Sequence, residues 1–332
     1  MPGAWVEHLS IDPLPALNAW QDPALNYFVR RDLLMQSVGP VEALWELPEA
    51  VRLLKKQQMD GCWHYPNRPN HPAPDANYNL LETYRSLRLL VEMYGFKRVH
   101  PALARAVEYL LSCQTDEGDI RGILGNQYMP YYHGALLELI IKAGYAEDPR
   151  VEKGLRWLLS MRQNDGGWLI PAQMVPAVQK TRQFWQSAPL PPDRSKPHST
   201  LATGMALRAF AAHPVYRLLP EVVAAGERLE ERIFQADKYN DRKDASYWLK
   251  FQFPFWWPNL VTALDTLCRL GFDRRDEQVA RGLEWFTANQ SEDGLWETGY
   301  GSGKGARAMR AWVGLAICRV LKRFTDPKGA ES

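Results

Sequence analysis

The chain has 332 residues, with 40 Lys and Arg against 38 Asp and Glu, a formal charge of +2. That balance excludes a long-range electrostatic footprint for nucleic acid, and 46% hydrophobic against 23% charged residues excludes a disordered chain. The 13 Trp, 14 Tyr and 11 Phe are the feature left to explain. The first residues lack the basic-then-apolar pattern of a signal peptide, and no apolar run approaches the roughly 20 residues a bilayer span needs, so a cytoplasmic protein is expected. Cys62, Cys113, Cys268 and Cys318 lie far apart with no CxxC spacing, which predicts no disulfide frame and no zinc knuckle; no metal and no cofactor are expected.

Two short segments come first, 14–20 and 25–34. From there amphipathic stripes alternate with helices that are apolar on most sides. The first stripe is Leu47/Ala50/Val51/Leu54, followed by an apolar helix over 78–94. Leu103/Ala106/Val107/Leu110 precedes 131–143, and Val151/Gly154/Leu155/Leu158 precedes 199–213. Val222/Ala225/Gly226/Leu229 precedes 258–270, and Val279/Gly282/Leu283/Phe286 precedes 306–321. A one-faced stripe belongs on an outer layer, and a helix apolar all round must be buried on most sides. About six hairpins of alternating outer and inner helices, closed into a ring, satisfy both patterns. The expectation is an all-α, α/α toroid in one domain over 1–325, with a disordered tail at 326–332.

Several outer helices end in a shared phrase. The copies are Gln58-Met59-Asp60-Gly61-Cys62-Trp63, Gln163-Asn164-Asp165-Gly166-Gly167-Trp168 and Gln290-Ser291-Glu292-Asp293-Gly294-Leu295-Trp296. A weaker copy starts at Gln114 and lacks the Trp, and a fifth stops at Gln235. Gly allows a sharp turn, Asp can satisfy free N–H groups in it, and Gln beside Trp can pin one hairpin to the next. The phrase resembles the QW repeat of the terpenoid cyclase and protein prenyltransferase superfamily, the squalene-hopene cyclase-like toroids. In that family the phrase is structural, so the resemblance speaks for fold before activity.

Connections from outer to inner helix are the longer ones, and in a closed barrel they emerge on one face. That face would hold the site. The stretch 165–198 is long and Pro-rich enough to be a lid or a solvated excursion. Helix N-termini and basic residues at the same mouth, including His198, Arg307 and Arg310, would suit an anionic group. Aromatic residues gather there too: Tyr78, Tyr131 and Tyr132 with His133, Trp185, and Tyr247, Trp248, Phe251, Phe255, Trp256 and Trp257. Rings can line a pocket for an apolar chain, stabilise passing positive charge, or stack on sugars.

The resemblance implies an isoprenoid-like apolar ligand in an aromatic-lined cavity, and cyclisation begun by an acid. The D-x-D-D motif of squalene-hopene-type cyclases is absent, as is the D-D-x-x-D magnesium motif. Asp244, Asp75 and Glu82 are the candidate acids, with Asp265 inside an apolar helix. Asp60, Cys62 and His64 echo a prenyltransferase zinc set, but His64 is too near to be the distant ligand. A non-catalytic binding or scaffold toroid is one alternative. A carbohydrate-active α/α barrel is another, drawing paired carboxylates from Glu82, Glu138, Asp244 and Asp265.

Overall fold

A computed structural model describes residues 4–66, 76–239, 244–300 and 304–325. Asp75 and the tail 326–332 lie outside the described residues. The described residues contain no strand, only isolated bridges. The helices in chain order are α1 (Leu14–Asn18), α2 (Pro23–Phe28), α3 (Pro48–Leu54), α4 (Tyr78–Tyr94), α5 (Pro101–Ser112) and α6 (Pro130–Ile140). They continue with α7 (Pro149–Ser160), α8 (Arg182–Gln186), α9 (Thr200–Ala212), α10 (Pro220–Glu230), α11 (Leu260–Arg269), α12 (Glu277–Ala288) and α13 (Lys304–Thr325). The fold class is all-α, with helices where the alternating pattern predicts them.

Local chemistry explains the boundaries. Proline occupies the first turn of α3, α5 and α7, where its missing N–H costs nothing. Asp148 caps α7 by accepting the Arg150 N–H, and Asn259 forms a reciprocal capping box with Thr262 on α11. Gly95, at φ 63°, closes α4 in the left-handed region.

The contacts divide the chain into two compact units. The larger comprises Val41–Leu229 with Ala236–Lys243. In it α4, α6 and α9 are the inner helices and α5 and α7 pack outside them. Contacts between α6 and α9 run in the same order along both: Gly134 faces Met205 and Ala206, and Glu138 meets Arg208. These neighbours are therefore parallel. The approach is close, since a Cβ on Gly134 would lie 2.8 Å from the Ala206 Cα. Outer helices fit by small residues as well: a Cβ on Gly154 of α7 would lie 3.0 Å from the His133 ring.

The smaller unit comprises Met1–Pro40, Glu230–Gln235 and Asp244–Ser332. Here the first segments of the chain pack on α13, the last helix. Asp22 reaches Trp312, and Asp32 reaches Arg319 further along, so α2 and α13 also run parallel.

The repeated turn is built alike in both units, with a register that differs from the expected phrase. The structural glutamine of the first copy is Gln57, not Gln58. The amides of Gln57, Gln114 and Gln290 donate to the carbonyls of Gly61, Gly118 and Gly294 at 3.0, 2.7 and 2.8 Å. Each also donates to the next outer segment, at Ala102 O, Arg150 O and Ile11 O (2.7, 2.8 and 2.8 Å). In the third copy Arg162 fills that position and donates to Glu221 O at 2.9 Å. Asp60, Asp165 and Asp293 each accept the N–H two residues on. The indoles of Trp63, Trp168 and Trp296 donate back to Leu53 O, Leu158 O and Phe286 O at 2.8, 2.7 and 2.7 Å. Each turn thus ties its own helix to the following hairpin.

Candidate ligand site

In the larger unit, three long connections meet. The Asn77 N–H donates to Gly122 O at 2.7 Å, and the Asn126 N–H to Trp185 O at 2.7 Å. Gln127 donates to Phe184 O and accepts from the Leu190 N–H. Gly125, at φ 65°, allows this docking, because a Cβ there would lie 2.4 Å from Trp185 O. The stretch 165–198 is therefore ordered over the 121–127 turn by α8 and is clasped at its base. Asp165 accepts both the backbone N–H and the Nδ1 of His198, at 2.8 and 2.9 Å.

The predicted residues of this unit separate into anchors and half-exposed groups. Tyr131 is buried against the half-buried Tyr132, with ring centres 4.2 Å apart. Tyr78 starts α4, half-buried, 5.2 Å from the Tyr65 ring. His133 is buried, accepting the Ile120 N–H on Nδ1 at 3.0 Å and bonding Gly154 O through Nε2. Burial lowers its pKa and keeps it neutral, as an Nδ1 acceptor requires. Thr83 and Thr203 take the same position under Trp63 and Trp168, so His133 is a connector of the repeat. Trp185 is buried, with no hydrogen-bond partner for its Nε1. Glu82 pairs with Arg85 at 3.3 Å.

In the smaller unit, Asp244 is exposed and caps the 3-10 turn Ala245–Leu249 by accepting the Ser246 N–H at 2.8 Å. Tyr247 and Trp248 are buried, stacked 5.1 Å apart, and both donate to Gln235 O. Phe251 is fully buried against Trp285 and Phe286. Phe253, Phe255, Trp256 and Trp257 are half-exposed, and Phe253 stacks on Trp312 at 5.2 Å. The aromatic run is thus divided between three buried anchors and a half-exposed stretch after them. Arg307 is exposed. Arg310 grips Asp293 through both terminal nitrogens, at 2.6 and 2.8 Å, and donates to Trp296 O. Burial disfavours the Asp293 carboxylate, but the Arg310 bond, the Leu295 N–H and the Arg310 charge together lower its pKa.

Three of the four carboxylates considered for sugar chemistry, Glu82, Glu138 and Asp265, are held in ion pairs. Glu138 lies between Lys142 at 2.7 Å and Arg208 at 2.8 Å, and Lys142 also binds Glu92 at 2.7 Å. Asp265 is held by Arg269 at 3.0 Å and by Arg323. Glu82 and Asp265 belong to different units, as do Glu138 and Asp244. Sequence reading missed Lys142 and Arg208. The available signal was a charge inside an otherwise apolar helix (Arg208 in α9) and Glu138–Lys142 spaced by one turn. Among the described residues no group of three or more His, Cys, Asp or Glu could hold a metal. No helix among them is long and apolar enough to cross a membrane.

Residues 77–178 match the family described as squalene-hopene cyclase C-terminal domain. The squalene–hopene cyclase of Zymomonas mobilis is 24% identical over 342 aligned positions, covering 88% of this chain and 48% of that protein. The chain is thus similar to the terpenoid cyclase-like superfamily. It spans about half the length of that relative. Among solved structures, a protein from Actinoplanes is 18% identical with a TM-score of 0.43, covering 86% of this chain and 88% of that one. The type II terpene cyclase MstE from Scytonema, bound to geranylgeranyl dihydroxybenzoate, is 12% identical with a TM-score of 0.34, covering 94% of this chain and 99% of that one.

Proposed function

We propose that this terpenoid cyclase-like chain takes up an isoprenoid or comparable apolar ligand on the aromatic residues of its inner helices. The supporting observation is the family match over 77–178, which covers α4 to α7, joined to an aromatic run that is only partly used as core. In this reading 1–325 acts as one α/α-toroid domain of a cytoplasmic protein. Tyr78 and Tyr132 of the larger unit, and separately Phe255, Trp256 and Trp257 of the smaller unit, are the half-exposed rings that would meet an apolar ligand in their own unit. Tyr131, His133, Trp185, Tyr247, Trp248 and Phe251 hold the surrounding backbone. Acid-initiated cyclisation belongs to the same reading through Asp75, because Asp244 is an exposed cap and Glu82 is paired with Arg85.

Mass spectrometry of ligands retained by the purified protein tests the proposal, followed by incubation with squalene, polyprenyl diphosphates and oligosaccharides. An extracted isoprenoid, or saturable squalene binding, is the expected result. Retention of oligosaccharide alone would remove the reading. Product analysis with Asp75→Asn then decides cyclisation, since a cyclised product must disappear in that variant.

A further inference from the structure

In the larger unit the connection between α7 and α9 is fastened at both ends and thinly seated between them. At one end Leu169, Ile170 and Ala172 are buried. At the other, Gln163 donates to Asp193 O and Lys196 O at 2.6 and 3.0 Å, and the Ser199 N–H donates to Trp168 O at 2.8 Å. Both ends therefore stand at the start of α9. Between them, over 173–192, Trp185 of α8 is the one buried residue. Its backbone docks on the 121–127 turn, which is bonded to Asn77 at the start of α4 and leads into α6. The stretch thus runs from the start of α9 to a turn between the starts of α4 and α6.

The seat is small. Across it the Asn126 N–H donates to Trp185 O at 2.7 Å, Gln127 Nε2 to Phe184 O at 2.7 Å, and the Leu190 N–H to Gln127 Oε1 at 2.9 Å. Arg182 and Gln186 interact as well, but both are exposed, where water competes. Docking also buries polar atoms that the protein leaves unmet, since Trp185 Nε1 and Gln173 Oε1 have no hydrogen-bond partner. A buried donor or acceptor without a partner forfeits its hydration, and lifting the stretch returns it. One ring holds this segment down, and part of what it gains by burial is lost at its own N–H.

We propose that 173–192 is a lid on the N-terminal ends of α4, α6 and α9, latched by Trp185 and hinged at Ala172 and Asp193. Lifting it admits an apolar ligand to Tyr78 at the start of α4 and Tyr132 in the first turn of α6, both half-buried. The lid stands on the docking geometry, and the ligand it admits rests on the isoprenoid reading above.

Amide hydrogen exchange of the full chain, resolved to single residues, tests the lid. The Asn126 and Leu190 amides bond across the seat, so they report its opening. They are expected to exchange together, about a thousandfold faster than the buried amides of α6 and α9. Trp185→Ala removes the latch, and Gly125→Ala sets a Cβ 2.4 Å from Trp185 O. Each should speed both reporters about tenfold or more and leave α6 and α9 unchanged. Reporters that exchange only as slowly as α6 and α9, or that neither variant accelerates, would overturn the lid. Equal acceleration of α6 and α9 would overturn it too, because Trp185 would then be core. Squalene supplied in detergent should associate about tenfold faster with both variants than with the wild type, in proportion to the open fraction. Equal rates in all three proteins would overturn the gating role. Absence of squalene binding in all three would leave the lid standing and remove the isoprenoid reading.

Discussion

The interior charges of the two units differ in how deeply they are buried. In the larger unit Glu92 and Glu138 meet Lys142 and Arg208 in a chain of contacts at 2.7 to 2.8 Å, which joins α4, α6 and α9. In the smaller unit Asp32 is shared by two guanidiniums, one of them 44% exposed. A buried network of ion pairs locates helices against one another, because breaking it strands a charge. A half-exposed cluster contributes less to holding the fold.

The largest expected effect is on the buried network. Glu138→Leu leaves Arg208 and Lys142 without their shared carboxylate and should cost about 3–5 kcal/mol in urea unfolding. A loss under about 1 kcal/mol would show that the network does not hold the three helices. Gly134→Ala comes next. Its added carbon meets the α9 backbone at 2.8 Å, so overpacking should cost roughly 1–3 kcal/mol, read as a lowered Tm.

Acidification should act on the histidine connectors. His133 accepts an N–H in its neutral form, and burial holds its pKa below the ordinary 6.5. A lowered pKa means its stabilisation is fully present above about pH 6.5 and is lost as pH falls through the lower folded value. Tm should therefore drop between pH 7.5 and 5.5, and His133→Gln should flatten part of that slope. An unchanged slope would point to other groups.

Gln57→Ala removes one hydrogen bond within its own turn and two to the next outer helix, at Ala102 O and Arg105, and should cost about 1–2 kcal/mol, whereas Gln58→Ala, whose amide reaches Lys56 O, should stay within about 0.5 kcal/mol. A small effect is also expected at the half-exposed cluster: Arg31→Gln should alter unfolding stability by no more than about 1 kcal/mol. A larger loss would make that cluster structural, like its counterpart.

Much of the fold was legible because burial patterns are local. The stripe Val151/Gly154/Leu155/Leu158 and the nearly all-apolar α9 state their layers without a partner in view. The site was legible only as composition. Tyr247, Trp248 and Phe251 look the same in sequence as Phe255, Trp256 and Trp257, but the first three are buried anchors and the others half-exposed. Arg310 and His198, expected as rim cations for a ligand, instead bind Asp293 and Asp165 of the repeated turns. Adjacent glutamines could not be told apart either. Which of Gln57 and Gln58 reaches the next hairpin depends on the direction each amide leaves the turn.

Helix positions, the alternation of layers and the places of the turns follow from the sequence itself, since spacing along the chain sets which face of each helix is apolar. The tertiary structure decided which charges are matched, which rings are covered and which glutamine makes the bridge. Those outcomes depend on distances between residues far apart in the chain, and no local pattern encodes them.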